Sequence, residues 1–173
     1  MNQYKIRRLV AYAIDWYLSS VLLVAFNYFY SHLKGIETTS FSTVELYDKN
    51  DATIVICIML VIDLIYYVVI PFLNKGRTVG KMTTKLKIVN SEDKKLTLAQ
   101  LVLREVVGII LVENYISPYG SYLRTYLGLL LGNVKYLSYI WFAISGLSIA
   151  CGIYSKENKM FHDLIAKTKV KSL

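Results

Sequence analysis

Two aspartates lie inside long apolar runs, Asp15 within residues 9–30 and Asp63 within residues 52–73. Each run is about 22 residues, roughly 33 Å as a helix, which is enough to cross a bilayer. A carboxylate near the centre of such a helix costs about 2.5–3.5 kcal/mol on insertion scales. A chain that carries two of them either pairs them inside its fold or uses them.

Composition agrees with a membrane class. The 173 residues are 55% apolar and the mean hydropathy is +0.42, whereas a soluble chain of this size sits near or below zero. The net charge of +8 is gathered in segments that flank the apolar runs. It forms no single basic face, which argues against nucleic acid as a partner. Cys57 and Cys151 fall inside apolar spans, with no C-x-x-C or Cys/His cluster beside them, so they read as small core residues. His32 and His162 are far apart, so no histidine metal site is expected, and no cofactor is called for. Lys5, Arg7 and Arg8 before an apolar run resemble a signal peptide. That run is too long for one, holds Asp15 and lacks a small-residue cleavage site, which predicts a retained anchor.

Charge fixes an expected topology. Residues 31–51 carry Lys34 and Lys49 against Glu37, Glu45, Asp48 and Asp51, a net acidic loop. Residues 74–96 carry Lys75, Arg77, Lys81, Lys85, Lys87, Lys94 and Lys95. Thr97-Leu98-Ala99-Gln100 has capping-box spacing and predicts a third helix over 98–116, ended by Ser117-Pro118. Residues 119–134, with Arg124, are placed at the outer face. A fourth helix is expected over 136–154, and the basic tail 155–173 belongs inside. The expected fold is thus an all-α integral membrane protein in one domain, 1–173. Its four transmembrane helices cover about 9–30, 52–73, 98–116 and 136–154, with both termini cytoplasmic by the positive-inside rule. Residues 85–89 and 167–171 are both alternating and β-prone, and predict a small two-stranded element that draws the tail under the second loop.

Three stretches carry a family resemblance. Arg7-Arg8-Leu9-Val10-Ala11-Tyr12-Ala13-Ile14-Asp15 opens the first helix. Gly76-Arg77-Thr78-Val79-Gly80-Lys81 makes a G-x-T-x-G-K turn, followed by a strand and a helix with an arginine, Arg104. Phe161-His162-Asp163-Leu164-Ile165-Ala166-Lys167-Thr168-Lys169-Val170 closes the chain. Together these resemble the RDD family of bacterial membrane proteins, named for one arginine and two aspartates, with Arg8 and Asp15 as the first R and D and Asp163 as the second D. The resemblance implies a bacterial inner-membrane protein with a transport role. Lys167 stands where the family usually has glycine.

On helix geometry, Arg8 and Asp15 lie about 20° apart around one axis, with Tyr12 and Ser19 near the same face. Asp63 shares a face with Tyr66 and Tyr67. Asp15 and Asp63 sit about 9 and 15 Å from the inner ends of their helices, so side-by-side packing would bring the carboxylates within about 6–8 Å. Glu113 would enter from the outer half. Two carboxylates in a low-dielectric site raise each other's proton affinity or hold a cation, which is what a proton- or sodium-coupled carrier needs. Asp15, Asp63, Arg8, Glu113, Tyr66, Tyr67 and Ser19 are therefore the candidate ion- or substrate-binding residues. The structural reading of Asp15 is a pairing with Arg8 or Arg104 that keeps the helices in register. Gly76, Thr78, Gly80, Lys81, Arg104, His162 and Asp163 read as a structural motif, in which His162 and Asp163 fasten the tail.

The turn at 76–81 is not a Walker loop, because three residues rather than four separate its glycines and Met82 follows the lysine. No serine, cysteine or histidine constellation suggests hydrolysis, so no enzyme and no catalytic residue is expected. The expected function is movement of a small solute or ion. The alternative is a scaffold or accessory subunit that binds another membrane protein. Expected partners are anionic lipid headgroups at the cytoplasmic face, and a homo-oligomer or a membrane protein.

Overall fold

The computed structural model describes residues 3–36, 44–92, 94–155 and 158–173. Helix α1 (Gln3–Leu33) buries Ala11, Asp15, Ser19, Leu23, Asn27 and Ser31, one residue in every four, so a single face turns inward. That face is mostly polar. The opposite faces expose Leu9, Val10, Trp16, Val21, Leu22 and Phe29, the reverse of a water-soluble helix and the arrangement a lipid solvent imposes.

Helix α2 (Lys49–Leu73) starts at Asp48, whose side chain accepts from the Asp51 N–H. Its turns widen to π geometry over Ile65–Val69, just before Pro71. Proline has no N–H for the carbonyl one turn back and its ring crowds that carbonyl, and the wider turn absorbs both defects. A short helix α3 (Val79–Thr83) and strand β1 (Leu86–Asn90) come next. Helix α4 begins as Leu98–Val102 behind the expected capping box on Thr97 and Gln100, then widens into a π stretch, Leu103–Val112. A 3-10 turn at Asn114–Ile116 separates it from α5 (Pro118–Leu131), whose N-cap Ser117 accepts from the Gly120 N–H. Helix α6 (Lys135–Tyr154), the short α7 (Phe161–Ile165) and β2 (Thr168–Ser172) complete the chain.

The two segments expected to pair do so, and the structure makes the pairing antiparallel, with Leu86 opposite Ser172 through Asn90 opposite Thr168. Lys85 and Lys167, one before each strand, both adopt positive φ, 55° and 51°. The family's glycine at the second position suits that left-handed conformation better than lysine does.

Among the described residues, three helices are long and apolar enough to cross a membrane: Gln3–Leu33, Lys49–Leu73 and Lys135–Tyr154. The fourth uninterrupted span expected at 98–116 is not found. Its helix ends at Val112, and residues 118–131 form a separate helix, α5. The reason lies in Glu113 and Asn114, which are wholly buried and turn the backbone to reach their partners. Packing divides the molecule in two. An apolar cluster of Leu23, Val44, Tyr47, Ala52, Val55, Ile56, Met59, Ile110, Tyr119 and Tyr122 fills the end away from the sheet. The end that carries it holds two smaller apolar clusters, one of Ala11, Leu86 and Val170 and one of Val68, Ile88 and Leu101, beside a network of buried polar groups.

Candidate functional site: two latches and a carboxyl pair

The turn at 76–81 is built onto Asp15. One carboxylate oxygen, Oδ1, accepts from the Tyr66 hydroxyl at 2.9 Å and from the Gly80 N–H at 2.8 Å. The other, Oδ2, accepts from Thr78 Oγ1 at 2.5 Å and Lys81 Nζ at 3.3 Å. Thr78 also caps α3 by accepting from the Lys81 N–H. Gly80 must be glycine, because a Cβ there would collide with the Ala11 carbonyl and the Asp15 carboxyl. Three motif residues of the turn, Thr78, Gly80 and Lys81, thus converge on one buried acid. Lys81 lies outside the long helices; burial pulls its ammonium below the usual lysine range, and Asp15 opposes that pull.

The tail is held by a second acid. Asp163 Oδ2 accepts from Arg8 Nη2 at 3.2 Å, and Oδ1 accepts from Arg104 Nη1, which also donates to Thr168 Oγ1 at 3.0 Å. Burial raises the Asp163 carboxyl, but the guanidinium groups of Arg104 and Arg8 outweigh it and hold the group well below the usual carboxylate range. His162 extends the network. Arg104 can only donate, so His162 Nε2 accepts from its Nη2 at 2.8 Å and the Nδ1–H faces Glu113 Oε2 at 2.8 Å. Glu113 Oε1 takes the His162 N–H at 2.8 Å and the Ser148 hydroxyl at 2.6 Å. Gly108 admits the tail this closely, since a Cβ there would strike the backbone and Cβ of His162. The first turns of α1 add Tyr4 OH to the Val170 carbonyl at 2.5 Å and Arg7 Nε to the Thr84 carbonyl at 2.7 Å.

Asp63 and Glu105 differ from all of these. They are 1% and 2% exposed. Each carboxyl acts on the protonation of the other, yet Asp63 Oδ1, Asp63 Oδ2 and Glu105 Oε1 accept from no donor among the described residues. Tyr67, which shares α2 with Asp63, spends its hydroxyl on Ser19 at 2.9 Å.

The sequence candidates therefore separate. Asp15 is matched to Lys81 and the turn, not to Arg8, Arg104 or Asp63. Arg8 belongs with Asp163, in a latch separate from the one the turn at 76–81 makes. Glu113 joins His162 of the tail rather than Asp63. Tyr66 serves Asp15, and Ser19 serves Tyr67. Sequence reasoning missed Glu105 as a partner for Asp63. The signal was its place beside Arg104 at the start of an apolar helix, where a surface position looked natural.

A model of the RDD family matches residues 5–167, a span that takes in Arg8, Asp15, the turn, Arg104 and Asp163. No curated protein and no solved structure matches the chain.

Proposed function

The chain belongs to the RDD family, and from its site we propose a multi-pass protein of the bacterial cytoplasmic membrane that moves a small solute or ion with proton or sodium coupling. In this reading α4 and α5 together form a broken third crossing between α2 and α6. Tyr119 donates to the Ile56 carbonyl at 3.4 Å and Tyr126 meets Thr53 at 2.8 Å, so α5 climbs along α2 toward the start of that helix. Trp141 donates to the Leu111 carbonyl at 2.9 Å, which ties the break to α6. Irregular backbone at membrane depth is tolerated where protein encloses it, and transporters place substrate sites at such breaks. Four crossings leave both termini on the side of the basic loop and tail, the cytoplasmic side by the positive-inside rule. There the lysines meet anionic headgroups.

The observation that carries the reading is the buried acid pair that holds nothing together. Ionisable groups inside the membrane are costly and mark ion pathways, and Asp63 and Glu105 serve no latch. One copy has no evident repeat of its helices, so transport calls for a homo-oligomer or a partner. A second reading, a non-transporting accessory subunit, is favoured by one fact: Arg8, Asp15 and Asp163 are all engaged in fastening the fold. Purified protein in proteoliposomes decides between them. Proton or sodium flux above that of protein-free vesicles under an imposed gradient supports transport. Absence of both, with correctly folded protein, supports the accessory role.

A further inference from the structure

We propose that Asp63 on α2 and Glu105 on α4 form a proton-binding site that holds one proton shared between the two carboxyls. This site rests on the transport reading and gives it an ion and a place. The geometry leaves little alternative for how the pair is satisfied. Both side chains are almost wholly buried, and no N–H or O–H of another described residue reaches three of their four oxygens. Two carboxylates cannot both be ionised in contact in a low-dielectric interior. A bond from one carboxyl to the other needs a proton, and that proton belongs to the pair rather than to either residue.

The cations nearby spend their hydrogen bonds elsewhere. Arg104 and Lys81 face Glu105, but Arg104 is committed to Asp163, His162 and Thr168, and Lys81 to Asp15 and Thr78. The other titratable groups near the pair are Tyr67, which feels both carboxyls, and Tyr119, which feels Asp63, and neither donates to the three orphan oxygens. Sodium fits less well. A hard cation prefers a shell of several oxygens, whereas among the described residues no hydroxyl is bonded to the three orphan carboxyl oxygens. In the proposed step the singly protonated pair takes a second proton from water and later returns it, so the pair cycles between one proton and two, is never doubly ionised, and needs no other reactant.

Infrared spectroscopy of the wild-type protein in lipid nanodiscs tests this without any transport assay. The expected result is a protonated-carboxyl band at neutral pH that shifts in D2O. It should change position in Asp63→Asn and in Glu105→Gln, and disappear in the double variant. A wild type with no protonated carboxyl band at neutral pH overturns the proposal even if no variant folds. A band that survives the double variant overturns it too, as does a pair that is ionised in sodium and protonates only when sodium is withdrawn. The band without flux would leave the proton site standing and remove the transport reading, while flux without the band would do the opposite.

Discussion

At the scale of single residues, the family's signature acids act as hubs for donors. Asp163 is wholly buried between two arginines, and breaking such a pair leaves an uncompensated buried charge at about 3–5 kcal/mol. Its carboxyl is depressed, so the stability it contributes is present above the unfolded value near 3.9 and is lost only as pH falls toward the lower folded value. Melting of the wild type and Asp163→Asn across pH should therefore differ by a constant gap from pH 8 to about 5, narrowing below about pH 4. A gap that closes on the alkaline side would contradict the assignment. The partners of Asp15 were not legible in sequence. Arg8 lies on the same helix face and is its natural mate by spacing, but a side chain's partner is set by which loop folds back over it.

At the scale of elements, the turn and the ribbon form one unit with the first helix. Gly80→Ala should lower the melting temperature sharply, because the added methyl meets the Ala11 carbonyl and Asp15 together and neither can yield without losing hydrogen bonds. Lys167→Gly should do the reverse. Relieving a left-handed lysine (φ 51°) recovers about 1 kcal/mol, read as a small rise in melting temperature. The ribbon itself was legible, since period-two alternation in two segments gives both strand type and buried face. The broken helix was not. Apolar composition over 98–116 reads the same in a straight helix and in one that widens and stops. Only the contacts of Glu113 and Asn114, made with residues of other elements, say where it stops.

At the scale of the whole molecule, the membrane class was legible from run lengths, and the three long helices agree with it. The topology proposed from charge is checked by cysteine labelling of intact cells, with Cys57 and Cys151 replaced. Lys94→Cys should be protected from an impermeant reagent and Asn133→Cys should react, and the opposite pattern would reverse the orientation. Across the whole fold the buried acids fall into two classes, latches that hold it together and a pair kept free of that work. Thermal melting of purified Asp→Asn variants in one detergent tests this division most directly. Asp15→Asn should be destabilised by about 3 kcal/mol or more, as expected for a broken buried pair. Asp63→Asn, which sets an amide N–H against Glu105 in place of a second carboxyl, should melt at or above the wild-type temperature. An Asp63→Asn protein as damaged as Asp15→Asn would contradict the division.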